Sequence, residues 1–196
     1  MKKILLYCII ILAVSSCVNV NLSGNKLTDQ TKDFESFLFL FSDADGSFGE
    51  WNEENFNRIL KTNFNGQDQE SKRETFAFYL RKQLKDKKIY SANQVFAEKK
   101  SVDYADFMAT IEHINFDGIL LIQDKGAIPA SDVKGDVKES KSYTGYNIFL
   151  IDKTNYRHVW SGDAQAEASE MQEIPRIYDE IVKELVFRLT ENGFVK

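Results

Sequence analysis

Residues 143–152 constrain the fold most tightly, because this stretch is apolar on both of its alternating faces. In a strand, successive side chains point to opposite sides of the sheet. Tyr146, Ile148 and Leu150 therefore share one side, and Asn147, Phe149 and Ile151 the other. A sheet with one wet face would place a polar residue at every second position. Here both sides carry large apolar groups, as in an interior strand or a sheet covered on both faces. Phe34 to Phe41 (FESFLFLF) and Ile119 to Ile122 (ILLI) are further compact apolar runs. The first ends at the turn-forming Ser42-Asp43-Ala44-Asp45-Gly46, and both read as buried strands.

Helical patterns separate these runs. Ser71-Lys72-Arg73-Glu74 has capping-box spacing, and Phe76, Ala77, Leu80 and Leu84 then share one helical face. Lys85, Lys87 and Lys88 follow where the helix dipole favours cations. Ile89 to Phe96 is expected to be the next strand. Ser101 or Asp103 opens a second helix with Tyr104, Phe107, Met108 and Ile111 inside. A weaker helical stripe covers Trp51 to Phe64. His158 to Ala166 should pair with 143–152 as a hairpin around Lys153-Thr154-Asn155-Tyr156. Pro175 starts a last helix that buries Ile177, Tyr178, Ile181, Leu185 and Leu189 and stops at Gly193. Residues 124–142, charged and containing Gly, Pro and Ser, are expected to form the longest loop. The expected order is β-α-β-α-β-β-β-α. That is one α/β (α+β) domain with a single mixed sheet over residues 33–196.

The chain begins with Lys2 and Lys3, an apolar run from Ile4 to Val14, then Ser15, Ser16 and Cys17. This is the layout of a secretory signal peptide. The run has about half of the ~20 residues that a membrane-spanning helix needs. Val14-Ser15-Ser16-Cys17 resembles the lipobox of bacterial lipoproteins. That resemblance implies cleavage between Ser16 and Cys17, a diacylglycerol on the Cys17 thiol, and often a fatty acyl group such as palmitate on its new amino group. The alternatives are an ordinary cleaved signal, or a buried helix with an incidental cysteine. On the lipoprotein reading, residues 1–16 are a signal peptide and 17–32 a polar, lipidated tether. Cys8 leaves with the leader, so Cys17 has no disulfide partner in the mature chain. Val18 rather than Asp follows it. In Gram-negative lipoproteins that pattern implies the outer membrane, here with the domain facing the periplasm. In a Gram-positive cell the same signal would mean the outer face of the plasma membrane.

The element order, the Ile114 to Ile122 stretch with its Asp117-Gly118, and the hairpin ending in Val159-Trp160-Ser161-Gly162 resemble the TolB amino-terminal-like domain of bacterial envelope lipoproteins. The resemblance covers about residues 33–194, with residues 43–70 departing from its compact pattern. It implies a non-enzymatic domain that binds or assembles around other envelope proteins. It carries no particular partner residue over to this chain.

Without Lys2 and Lys3 the formal charge moves from −5 to −7, which argues against nucleic acid or anionic lipid as a general partner, since both need basic patches. No strong catalytic signature is present. Asp43-Ala44-Asp45-Gly46-Ser47 begins like a calcium loop, and Glu54 falls at position 12. Phe48, however, occupies position 6, where that loop needs Gly. The plainer reading is a turn rich in Asp and Gly. His113 and His158 have no nearby His or Cys to complete a zinc site. Neither a Gly-x-Ser-x-Gly elbow nor a phosphate-binding glycine loop occurs, so no metal or cofactor is expected. Trp51 stands among Glu50, Glu53 and Glu54 and reads either as an exposed partner anchor or as a side chain folded back on the sheet. Trp51, Asp43 and Asp45 in one loop, and Lys134 and Lys138 in the 124–142 loop, are the candidate partner contacts. The function expected first is a non-catalytic, membrane-anchored lipoprotein that binds or helps assemble envelope complexes. An alternative is a lipoprotein with a pocket for a lipid or small apolar ligand, and a hydrolase ranks last.

Overall fold

The computed structural model describes residues 18–96, 101–128, 142–168 and 174–196. At its centre is the apolar run Ser36–Ser42 (β2), buried along its whole length. It has a parallel partner on each side, Lys88–Ser91 (β3) and Gly118–Ile128 (β4). Alternation sends Phe37, Phe39 and Phe41 into one core and Leu38 and Leu40 into another. Beyond β4 the sheet continues antiparallel through Ser142–Asp152 (β5) and Arg157–Ala168 (β6) to Asn19–Lys26 (β1). The order is β1-β6-β5-β4-β2-β3, one mixed sheet as expected.

Helices cover both faces. Glu70–Gln83 (α2) and Ile174–Glu191 (α5) pack over the first core, which takes Tyr146, Ile148 and Leu150 from β5. The second core takes Phe149 and Ile151. It lies under Glu53–Asn55 (α1), the π-helical turn Phe56–Leu60 that continues it, Ala92–Val95 (α3) and Tyr104–Glu112 (α4). The two-sided apolarity of β5 thus produces a three-layer sandwich.

Several sequence expectations are corrected. The tether expected over 17–32 contains an edge strand: β1 pairs with β6 from Asn19↔Glu167 to Lys26↔Trp160. Val18, Val20 and Leu22 turn inward while Asn19, Asn21 and Ser23 stay exposed. The capping box expected at Ser71 is absent, because α2 starts at Glu70 with Gln69 as its N-cap. Glu74 instead accepts hydrogen bonds from Asn93 Nδ2 (2.7 Å) and Ser91 Oγ (3.3 Å). A capping box stands at Ser91, where Gln94 Oε1 accepts from the Ser91 N–H at 3.1 Å. The strand expected over Ile89 to Phe96 therefore stops at Ser91 and turns into α3. Residues 124–128 extend β4 through a bulge, with Gly126 at φ +75°, rather than opening a loop. Lys134 and Lys138 lie outside the described residues, as do Cys17 and the leader.

Trp160 is fully buried on β6. Its indole lies across Gly162 and, on the neighbouring strand, Gly24, and these two glycines face each other in the ladder. A Cβ at Gly24 would stand 2.3 Å from Trp160 Cζ2, and one at Gly162 2.4 Å from Cη2. The Trp-Ser-Gly stretch is therefore a packing device. Asp117 has a similar local role: its Oδ2 accepts from the N–H groups of Glu35 (2.9 Å) and Ser36 (3.0 Å), anchoring the start of β2.

Candidate functional site: an aromatic groove at the hairpin end

The second core ends in a groove of about 660 Å³ at the β5–β6 turn, lined by Gly49, Glu50, Trp51 and the stretch from Asn155 to His158. Asn52 caps α1 by accepting from the Asn55 N–H at 2.9 Å, so Trp51 sits immediately before a fixed helix start. Its ring stacks on Tyr156 (5.7 Å between centroids, 21°) and meets Phe48 edge-on (5.6 Å) and Phe107 at a tilt (5.9 Å). Tyr156 adopts φ 55°, an uncommon conformation for a residue with a side chain. Its N–H donates to Asp152 O at 2.7 Å, which closes the turn. Of the two readings of Trp51, the ring packs back on the domain while remaining half-exposed in the groove wall.

His158 forms the inner wall. It stacks on Phe48 (5.8 Å, 9°) and tilts against Phe149 (5.1 Å), and its Nε2 is buried with no hydrogen-bond partner. Burial pushes the imidazole below its ordinary pKa, while the negative charge of Glu50 pulls the other way. Burial also raises the hydroxyl pKa of Tyr104 and that of Tyr156.

A stability prediction follows from His158. The contribution of its neutral ring is complete above the unfolded-histidine pKa of about 6.5 and is lost as pH falls through the lower folded value. The melting temperature should therefore drop between pH 7.5 and pH 5.5, and this dependence should flatten in His158→Phe. An unchanged profile in that variant would assign the effect elsewhere.

Asp43 and Asp45 are exposed, and neither lines the groove. Asp43 accepts from the Gln69 side chain, and Asp45 precedes Gly46 (φ +93°) in the turn. Among the described residues no group of three or more His, Cys, Asp and Glu converges to hold a metal. The groove residues missed from sequence are Tyr156, Arg157 and His158. A bulge pairs Leu150 with Trp160 but Ile151 with His158. It sends Trp160 into the first core and His158 towards the second. A strict period of two would place both on one face, so the pattern held no warning of the site.

A smaller space of about 200 Å³ lies between β4, β5, α2 and α5. Its floor is the ion pair between Lys72 Nζ and the buried Asp124 Oδ2 (2.9 Å), and Asp124 Oδ1 also accepts from the Gly126 N–H at 2.8 Å. Burial works against the Lys72 ammonium, but its hydrogen bond to Asp124 carries the pKa above the ordinary lysine value. Burial likewise pushes up the hydroxyls of Tyr146 and Tyr178, which both line this space. Small-molecule pockets usually measure roughly 300–1,000 Å³ and are mostly apolar. This one is smaller and charged at its floor, a poor fit to an acyl chain.

No family model and no curated protein matches the chain. Among solved structures it is similar to the PelC dodecamer from Paraburkholderia phytofirmans, with 13% identity over 91% of this chain and 100% of that one, at a TM-score of 0.46. It is also similar to lipoprotein GNA1162 from Neisseria meningitidis, with 13% identity over 80% of this chain and 98% of that one, at a TM-score of 0.40. Both likenesses lie below the level at which a shared fold implies a shared role, and neither brings the TolB amino-terminal-like domain to this chain.

Proposed function

We propose that this chain is a non-catalytic lipoprotein of the bacterial envelope, held by acyl chains on Cys17, and that it binds a protein partner through the groove at Trp51. The carrying observation is the half-exposed ring pair Trp51 and Tyr156, set between Glu50 and Arg157 in a groove of about 660 Å³. Aromatic rings already fixed by packing lose little freedom on binding and make good anchors. Glu50 and Arg157 at the rim select a segment carrying one apolar anchor and charges of complementary sign. Asp43 and Asp45 are proposed as flanking contacts, and the segment with Lys134 and Lys138, which follows Ile128 at the other end of the sheet, as a separate contact.

The lipobox-like Val14-Ser15-Ser16-Cys17 supports the anchor. No helix among the described residues is long and apolar enough to cross a membrane. Each buried methylene of an acyl chain adds ~0.8 kcal/mol of membrane affinity, so two or three chains hold firmly. Anchoring confines the domain to a surface and raises its effective concentration near membrane partners. The proposed address is the outer membrane, facing the periplasm.

The test is a photo-crosslinking residue placed at Asn155 in cells, with Lys183 on α5 as a distant control. One discrete protein adduct is expected from position 155, lost on Trp51→Ala, and none from 183. Equal adducts from both positions, or one that survives Trp51→Ala, would remove the groove from this reading. A mature amino terminus without acyl mass would remove the anchor.

A further inference from the structure

We infer that the domain stands upright on its membrane, on the Asn19 end of the sheet, and presents the Trp51 groove at the opposite end. This rests on the reading of Cys17 as acylated. The first observation is the shortness of the link. Val18 packs half-buried against the first core, and ladder pairing begins at Asn19. Two residues of extended chain reach only about 7 Å, so an acylated residue 17 stays within that distance of the sheet. A free tether over 17–32 would have let the domain tumble, but β1 removes that freedom. Peeling β1 away to recover it would break its pairing with β6 along Asn19–Lys26 and expose Leu22, which is 2% accessible.

The second observation is what the register brings to that end. Asn19 is level with Glu167, Glu167 with Tyr143, and Tyr143 with Ile128. These four strand positions form one row across β1, β6, β5 and β4. The amino end of α5 is nearby, since Tyr178 and Tyr146, only a few residues along β5, both pack on Phe76 and line one space. Its other end lies with the far end of β1, where Lys26 Nζ donates to Asn192 O at 3.1 Å. Tyr143, half-exposed in the first row, supplies an aromatic ring of the kind favoured where lipid headgroups meet water.

The third observation is the distance to the groove. Strands rise about 3.3 Å per residue, so the length of β1 sets its two ends more than 20 Å apart. Lys26 is level with Trp160, and the groove residues Asn155 to His158 lie beyond it at the hairpin turn. An upright domain therefore offers the groove roughly 25 Å above the headgroups, to a partner in the aqueous compartment or one projecting well clear of the bilayer. A partner lying flush with the membrane would not meet it.

The test uses the full acylated protein in vesicles of phosphatidylethanolamine and phosphatidylglycerol, with 10% of a headgroup-nitroxide lipid as quencher. One fluorophore is attached at a time, through Ala127→Cys near the Asn19 end or through Leu27→Cys at the far end; both positions are exposed. Mass spectrometry and vesicle flotation come first. An acylated, floating protein should show at least threefold stronger quenching at 127 than at 27. A flexible ten-residue glycine-serine insertion between Cys17 and Val18 should bring the two values together. Equal or reversed quenching in the acylated protein without the insertion overturns the upright stance and leaves the anchor intact. A protein without acyl groups that fails to float overturns the anchor, and the stance falls with it.

Discussion

Gly162→Val should destabilise the domain by about 3 kcal/mol, nearly as much as Trp160→Ala, for which core tryptophan truncation predicts about 3–5 kcal/mol. The two values are linked because the glycine exists for the ring. Trp160 heads the largest fully buried side chains, and its indole occupies the space that side chains at Gly162 and Gly24 would fill. A valine at 162 must displace the ring or the strand, since the nearest contact would be 2.4 Å against the flat face of a rigid side chain. Overpacking of this kind forces backbone shifts as well as lost burial. Urea unfolding should show both single variants strongly weakened. Gly162→Val added to Trp160→Leu should cost much less than in the parent, because the ring it opposes is gone. Additive costs in that pair would mean the glycine serves some other purpose. Either single variant removes a large part of the 5–15 kcal/mol that typical domains possess.

Arg73→Met should cost roughly 3 kcal/mol, for a different reason. The Arg73 side chain is fully buried on α2. Its Nε and Nη2 donate to Asn93 Oδ1 (3.0 and 2.8 Å), and Nη1 and Nη2 donate to Gly66 O (3.2 Å each). Burial lowers its pKa, and the charges of Glu74 and Glu70 push it back up. The planar fork bonds the loop before α2 and the helix after β3 simultaneously. Removing it leaves a partly buried carbonyl and a partly buried amide oxygen without their donor, and unmade bonds of that kind cost more than made ones contribute. Arg73→Lys should lose most of the same stability, because a single ammonium cannot reproduce the fork. Arg73→Met with Asn93→Leu should be less damaging than the two singles summed, measured by the same unfolding curves. A near-neutral Arg73→Met would show that the loop finds other partners at little cost.

The sandwich was legible because β2, β4 and β5 are apolar without a polar face, and only a sheet covered on both sides accommodates that. β1 was also written in the chain, as Val18-Asn19-Val20-Asn21-Leu22. Its Asn, Ser and Gly residues have the composition of a linker, and the alternation is short. The start of α2 was misplaced because Glu74 has better partners in space, Asn93 and Ser91, than the backbone three residues behind it. Tertiary hydrogen bonds outcompeted a local cap. The groove was half legible. Trp51 stood out as a large aromatic in an acidic stretch, but nothing local joins it to Tyr156, Arg157 and His158. That meeting depends on one extra residue in β6, and a bulge shifts every later side chain without leaving a periodic trace.

The pairing of β1 with β6 also sets an order of events. Asn19 finds its partner at Glu167, about three quarters of the chain away, and contacts so distant in sequence form late and slowly. A polypeptide that emerges amino end first therefore keeps this strand unseated until β6 has followed it. During that interval the amino terminus is open to any enzyme that works on it. Once the ladder closes, the same residues become the edge of a finished sheet.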